Sequence, residues 1–241
     1  IYVKNKEKKA FEVGITSHVV RLKKNIKEIK LLSIIQDYND NNKIDGILVQ
    51  LPLPNHINSN KIIDKIDIRK DVDGFNSKNI GLLALGRPEV IPCTPLGCYK
   101  MLEKVTNLEG KKVVILGRSN IVGKPLAYLL TNKNATVTLT HSKTKNIKDI
   151  CISSDIIIAA IGKPNFVKYD WIKKNAIVID VGINVINNKS KKKILGDVDF
   201  ESVVSKVKAI SPVPGGVGPM TIHCLLLNTY MLANLKAKLQ P

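Results

Sequence analysis

Apolar residues in the first part of this chain recur mostly at helical spacing, whereas beyond residue 110 they gather into short buried runs. A helix is predicted over residues 2–13, ending at Gly14, because a glycine reaches the left-handed conformation of a helix C-cap without strain. Residues 19–22 suit a short strand. Residues 26–38 place Ile29, Leu32 and Ile35 on one helical stripe. Residues 46–51 read as a buried strand, stopped by Pro52 and Pro54. A short helix fits 62–66. Residues 71–97 are rich in glycine and proline with little periodicity, the pattern of a linker or a functional loop system.

After Gly110 strands and helices alternate. Strands are predicted at 113–116, 136–140, 156–160, 177–181 and 209–211. Helices are predicted at 124–132 and around 147–153, with a short one at Trp171 and a closing one at 219–239. Pro125 stands near its helix start, where the missing N–H has no intrahelical partner anyway. The lysine-rich run 189–193 is expected to be a solvated loop. Alternation of this kind implies a parallel sheet covered on both faces. The predicted class is α/β with two lobes around a cleft. A Rossmann-type parallel-sheet lobe would use residues 93–214. An α/β lobe would use residues 1–92, completed by the C-terminal helix within 215–241, with Pro95 and Pro214 as hinges.

A chain of 241 residues is long enough to bury a sizeable core. No apolar run reaches the roughly 18 residues that span a bilayer, so no membrane partner is expected. The sequence opens at Ile1-Tyr2-Val3-Lys4 without a methionine, so targeting is open, and a cytoplasmic or an organellar home fits equally. The net charge of +18 first suggests nucleic acid. However, 34 of the 38 basic residues are lysine, and 22 asparagines accompany them. Phosphate and base recognition favours the planar fork of arginine. The charge is therefore assigned to solvated faces and to a polyanionic small molecule, with no nucleic-acid partner. Cys93, Cys98, Cys151 and Cys224 have no C-x-x-C spacing and no clustered histidines, so free thiols are expected and no metal site.

The turn Gly117-Arg118-Ser119-x-x-x-Gly123 follows a predicted strand and opens a helix. Backbone N–H groups and the positive end of the helix dipole then face one point, which suits a phosphate. The spacing is one residue longer than G-x-G-x-x-G, and a plain tight turn is the alternative. A site for NAD carries an acid at the end of the next strand to hold the ribose 2′-OH. This chain has His141-Ser142-Lys143-Thr144 there, which favours the 2′-phosphate of NADP, held by Ser142, Thr144 and Arg118. Helix N-capping is the plainer role of Ser142 and Thr144.

Tyr2 and Lys6 share a helix face, being four residues apart. Gln50 ends the apolar run 46–51, at the strand end where open α/β sheets bind ligands. Residues 212–221 pack prolines and glycines before a helix, so their backbone can approach a ligand closely. Singly, these are equally an amphipathic pair, a satisfied buried amide and a hinge.

Taken in order, the segments YVxxKxK, VQLPLP, KDVDG, PCTP, GRSxIVGxP, HSxT and PVPGGVGPMT resemble the signatures of the methylenetetrahydrofolate dehydrogenase/cyclohydrolases, essentially end to end. The resemblance implies oxidation of 5,10-methylenetetrahydrofolate to the 5,10-methenyl cation with NADP, then hydrolysis to 10-formyltetrahydrofolate. It makes Lys6 the main catalytic residue of the hydrolysis, and Gln50 the residue that contacts and tunes it. Tyr2 would stack near the folate ring, with Val49 and Leu51 beside it, and Asp73 would bind the pterin. Pro214, Gly215, Gly216, Val217 and Gly218 would border the folate. Gly117, Arg118 and Ser119 would hold the cofactor phosphates, helped by Ser142 and Ile183. A homodimer through the Rossmann lobe and a polyglutamylated folate are implied as well.

The residue types suit that chemistry. An exposed lysine, with a pKa of about 10.4, is a poor base near neutrality. Partial burial and a neighbouring methenyl cation both favour the free amine. Gln50 is neutral, so it can position the amine without locking it as an ammonium. Asp73 can accept two N–H donors from an aminopterin edge. Asp71 reads more simply as a turn-stabilising residue. The family also carries a helix, a first strand and a serine ahead of YVxxK that this sequence lacks, so the catalytic lobe is expected to be a strand short. His223 and Cys224 stand where small or aliphatic residues are expected. His223 reads as a tolerated helix residue and His141 as a cap or lining group of the cofactor site. Two alternatives stay open: a dehydrogenase that has lost the hydrolase, and a basic Rossmann-like nucleic-acid-binding protein.

Overall fold

The computed structural model describes residues 2–188 and 191–239; the side chains of Tyr2, Asn187, Asn188, Lys191, Lys192 and Leu239 lie outside that description. In chain order the elements are α1 (Tyr2–Glu12), α2 (Glu28–Asp40), α3 (Ser59–Lys65), α4 (Ser77–Ala84), α5 (Cys93–Glu103), β1 (Lys112–Leu116), α6 (Gly123–Thr131), β2 (Thr136–Thr140), α7 (Ile147–Ile152), β3 (Ile156–Ala159), β4 (Ile177–Asp180), β5 (Asn184–Asn188), β6 (Lys191–Leu195), α8 (Phe200–Val203), β7 (Ala209–Ile210) and α9 (Val217–Leu239). Two compact units result. One is Ile1–Cys93 with Ile222–Pro241, the other Thr94–Thr221.

In the first unit, Leu31 and Ile35 of α2 pack with Ile47, Ile57, Ile62 and Ile66. The buried stripe of α2 therefore runs through Leu31 and Ile35. Ile29, expected on it, is 71% exposed, because at about 100° per residue it stands roughly 200° around the helix from Leu31 and roughly 240° from Ile35, on the opposite face. α1 ends as expected, with Gly14 at φ +79 just beyond it. Residues 46–51 do not form the predicted strand. Among the described residues only Ile47 pairs, in one parallel bridge to Asp71, with its N–H donating to the Lys70 carbonyl at 2.7 Å. A ladder needs a partner along its length, and one bridge leaves the segment merely extended. Residues 19–22 are likewise no strand; Val19, Val20 and Leu22 are exposed and bury no face. The stretch 71–97 holds two helices rather than a structureless linker. α4 is capped by Asn76, which accepts from Lys78 N–H, and α5 takes Pro95 in its first turn, where proline is tolerated.

Lys70 explains how α2 ends. It is 7% exposed, and its Nζ donates to the carbonyls of Tyr38 (3.0 Å), Asn39 (2.6 Å) and Asn41 (2.9 Å). A cation placed on the orphan carbonyls of a helix C-terminus satisfies both their hydrogen bonds and the dipole. Burial, first of all, lowers its pKa, so the ammonium stands against a desolvation cost. Lys70→Met keeps the length and the apolar stem but orphans those carbonyls. It is expected to cost about 2 kcal/mol, a fall in Tm of roughly 4–8 °C for a chain of this size. An unchanged melting curve would show that water replaces the ammonium without loss.

The second unit is built on a five-stranded sheet, β2-β1-β3-β4-β7, parallel throughout. All residues of β3 and β4 are buried, as expected when a parallel sheet is covered on both faces. Val114, Leu116, Ile157, Ala159 and Val178 face Cys151 of α7 and Val203 of α8. α6 packs against β2 and β1. The lysine run, expected as a loop, instead enters β6, which pairs antiparallel with β5. Lysines suit such a ribbon because they discourage further pairing along its open edge; residues 189–190 lie outside the described residues. Strand order changes direction between β1 and β3, so the binding crevice of such a sheet opens at their C-terminal ends. Among the described residues no helix is long and apolar enough to cross a membrane, and no cluster of metal-ligating side chains occurs.

Candidate active site

At the crevice between β1 and β3 the backbone is packed to its limit. Gly117 lies at φ +113, and a Cβ there would sit 2.3 Å from the Ala160 carbonyl oxygen. A Cβ on Gly123 would sit 2.0 Å from the Gly117 carbonyl oxygen. Only glycine at both positions lets the start of α6 close onto the end of β1. Ser119 Oγ accepts from the N–H groups of Val122 (3.2 Å) and Gly123 (3.3 Å). Its own proton can then go to an acceptor outside the loop, such as a phosphate oxygen. Arg118 and Ser119 are exposed, beside the positive end of the α6 dipole.

At the end of β2, the plainer reading of Ser142 and Thr144 as helix caps fails. The N-cap of α7 is Asn146, at φ 53 and without a side-chain bond. Thr144 Oγ1 instead accepts from His141 N–H (3.0 Å), and His141 Nδ1 accepts from Lys143 N–H (3.2 Å). The turn satisfies itself because its polar side chains can reach back only two or three residues. Ser142 and Lys143 are left exposed on it. Ile183, 45% exposed, follows β4 at the same edge of the sheet.

Two buried aspartates hold this edge together, and sequence reasoning passed over both. Asp180 accepts from the N–H groups of Gly182, Asp197 and Val198, each at 2.9 Å. Asp197 accepts from Ile161 (2.7 Å), Gly162 (2.9 Å) and Lys163 (2.9 Å) N–H and from Asn184 Nδ2 (2.9 Å). Burial pushes the Asp180 carboxyl up to about 6, the nearby Asp197 adding to it and three N–H donors opposing. The usable signal was reciprocal: a Cβ on Gly182 would strike the Asp197 carboxylate, and one on Gly196 the Asp180 carboxylate. Each aspartate therefore stands near a glycine that admits the other.

In the first unit, Lys6 Nζ donates to Gln50 Oε1 at 3.3 Å, joining α1 to the extended segment. Gln50 is exposed, so the alternative of a satisfied buried amide falls away; its Nε2 donates to the Leu51 carbonyl at 3.1 Å. Val49 and Leu51 are half-buried on either side. Tyr2 begins α1, one turn before Lys6, with its side chain outside the described residues. Asp73 is half-buried, and burial raises its pKa to about 6. Lys6 and the Cys93 thiol pull it down, while Asp71 pushes it up. Asp71 is the turn residue: its carboxylate accepts from Gly74 N–H (3.1 Å), Asn76 N–H (2.8 Å) and Asn79 Nδ2 (2.8 Å). Gly74, at φ +72, completes that turn; a Cβ there would meet Pro92 N at 2.8 Å.

Pro214, Gly215, Gly216, Val217 and Gly218 fall in the second unit, between β7 and α9. Gly215 lies at φ +108, and a Cβ on Gly216 would sit 2.5 Å from the Pro212 carbonyl oxygen. Pro214 and Gly215 are exposed; Gly216 and Val217 are buried. His223 is exposed on α9.

Residues 1–73 match the family described as the catalytic domain of tetrahydrofolate dehydrogenase/cyclohydrolase, and residues 92–237 its NAD(P)-binding domain. The chain is 51% identical to the bifunctional protein FolD of Wolbachia pipientis subsp. Culex pipiens, with all of this chain and 82% of that protein covered. It is 55% identical to the FolD protein of Pelagibacter ubique, over 95% of this chain and 80% of that one. Among solved structures it is similar to the bifunctional methylenetetrahydrofolate dehydrogenase/cyclohydrolase of Campylobacter jejuni. That similarity has a TM-score of 0.92 and 48% identity, covering 97% of this chain and 83% of that one. The Trypanosoma brucei enzyme, solved with NADP and an inhibitor, superposes with a TM-score of 0.95 at 38% identity, covering 98% and 82%. The chain belongs to the tetrahydrofolate dehydrogenase/cyclohydrolase family.

Proposed function

We propose that this protein oxidises 5,10-methylenetetrahydrofolate with NADP and hydrolyses the resulting methenyl cation to 10-formyltetrahydrofolate. The observation that carries the reading is the Lys6 amine on the neutral amide of Gln50, with a half-buried carboxyl at Asp73 in the same unit. The neutral amide of Gln50 orients the amine by a hydrogen bond without tying it into an ion pair. Bound NADP supplies the hydride acceptor. The loop at Gly117, Arg118 and Ser119 fits its phosphates, because the glycines admit close backbone approach and Ser119 has a proton to give. Ser142 and Thr144, in the turn after β2, are assigned to the 2′-phosphate, and Ile183, exposed after β4, to the cofactor site. Once the cation has formed, Lys6 removes the proton of the attacking water, and Gln50 keeps the amine aimed. Asp73 accepts N–H groups of the pterin and so sets its register. Val49, Leu51 and Tyr2 complete the folate site in this proposal. The first unit, residues 1–93 with 222–241, is its folate lobe, and the second, residues 94–221, its cofactor lobe. The strongly basic surface suits a polyglutamate tail, and a homodimer through the Rossmann lobe is part of the same reading.

The test is turnover. Methylenetetrahydrofolate is expected to yield the methenyl product only when NADP is present, with added RNA having no effect. Asp73→Ala is expected to weaken folate binding about 10–100-fold, the worth of a charge-assisted bond, and to leave NADP binding unchanged. Absence of turnover with both NADP and NAD would overturn the proposal.

A further inference from the structure

The side chains behind Asp73 form a cluster that the proposed chemistry does not use. Cys93, at the first position of α5, is 2% exposed. Its Sγ lies 3.3 Å from the Val72 carbonyl oxygen and 3.7 Å from Asp73 Oδ1. Asn228, from α9, is 1% exposed. Its Nδ2 donates to the carbonyls of Val72 (3.0 Å) and Ile91 (2.9 Å), with the Cys93 sulfur a third acceptor at 3.6 Å. One amide thus ties the backbone just before Asp73 to the backbone just before Cys93. A thiol has one proton, and here it has two acceptors. The groups facing Asp73 are Lys6 of α1, Asp71 of the same turn and Cys93 of α5; Cys224 of α9 stands behind Cys93.

We propose that Cys93 and Asn228 are positioning residues for Asp73: Asn228 fixes the sulfur, and the thiol proton turns from the Val72 carbonyl to Asp73 Oδ1 when the carboxyl ionises. The inference rests on Asp73 being the folate-binding carboxyl proposed above. An ionised carboxylate is a stronger acceptor than a backbone carbonyl, so the thiol proton follows the charge. One acceptor direction of Oδ1 is then occupied from behind, and the remaining ones of the carboxylate are left for the pterin N–H groups. Burial, above all, holds the Cys93 thiol well above its ordinary pKa, so it stays S–H and serves as a donor at every physiological pH. The Val72 carbonyl loses little when the proton leaves, because Asn228 still donates to it.

The experiment is the pH dependence of kcat/KM for methylenetetrahydrofolate oxidation, which reports groups of the free enzyme. It is run on the full chain and on Cys93→Ser and Cys93→Ala. The acid limb of the wild type is expected near the Asp73 value of about 6. Serine is the stronger donor, and should move the limb down by about half a pH unit. Alanine has none, and should move it up by about 0.5–1 unit, the equivalent of one hydrogen bond to the ionised form. In the alanine background, Asn228→Ala should move the limb no further, because it acts through the same sulfur. Coincident limbs in wild type, serine and alanine would overturn the proposal, even if all rates fell together as for a packing role. If the alanine variant does not fold, the downward shift in the serine variant decides alone. Asp73→Ala run in parallel separates the two levels: unchanged kcat/KM there overturns the assignment of Asp73, whereas a large loss there with unmoved Cys93 limbs overturns only the positioning role.

Discussion

Lys6→Met is expected to abolish hydrolysis of methenyltetrahydrofolate while folate binding stays measurable. Methionine matches lysine in length and helix propensity, so α1 should be kept. What is lost is the amine that donates to Gln50 Oε1 at 3.3 Å. A positioned general base is worth about 10²–10⁴ in rate, and the loss should fall within or above that range, on kcat more than on KM. Oxidation of the methylene compound asks for no proton from Lys6 and should survive in larger part. A second signature follows from charge. Lys6 lowers the pKa of Asp73, so its removal should raise that value further above about 6. If the ionised carboxylate is what holds the pterin, folate affinity in the variant should begin to fail at a higher pH than in the wild type. Wild-type hydrolysis rates in Lys6→Met would remove Lys6 from the mechanism. A lost hydrolysis with an unmoved binding profile would detach Asp73 from it.

The sheet was legible because its strands are continuous runs of β-branched residues, a pattern that only double-sided burial explains; β3 and β4 fall within one residue of expectation. The first unit was less so. The stripe of α2 was anchored on Ile29, because apolar residues stand on more than one face of that helix and apolarity alone does not say which face is buried. α4, and α5 at the start of the second unit, hid behind Gly81, Pro92, Pro95 and Gly97, residues read as breaking periodicity although a helix admits proline in its first turn. Lys6, Gln50 and Asp73 stood out through motifs, and the structure brings Lys6 and Gln50 into contact. Lys70, Asp180 and Asp197 did not stand out, because their partners are backbone N–H and carbonyl groups, which every residue carries. Asn228 escaped for the same reason: it binds carbonyls at positions 72 and 91.

That difference in legibility gives Asp197 a larger expected effect than any cofactor contact of the second unit. Asp197→Asn changes no volume, yet all four acceptor directions of the carboxylate are taken: Ile161 and Gly162 N–H on Oδ2, Lys163 N–H and Asn184 Nδ2 on Oδ1. An amide has one acceptor oxygen. Whichever way it turns, its NH₂ confronts two donors in a site that is fully buried. At about 1–3 kcal/mol for each orphaned donor, the loss should be on the order of 3 kcal/mol, a fall in Tm of roughly 6–12 °C. Removing the charge also relieves Asp180, whose folded pKa of about 6 lies above its ordinary value. A raised folded pKa means the folded protein binds the proton more tightly, so this stability is present in acid and is lost as pH rises through about 6. With Asp197 neutral that loss shrinks, and the deficit of the variant should be larger near pH 4 than near pH 7. The loop 161–163 would loosen with its anchor. Because the Ile161 side chain lies 3.5 Å from where a Cβ on Gly117 would stand, the phosphate turn should lose definition and NADP affinity should fall with it. A variant that melts like the wild type and binds NADP equally well would show that the four donors find water, and that the edge of the sheet is held by the strands alone.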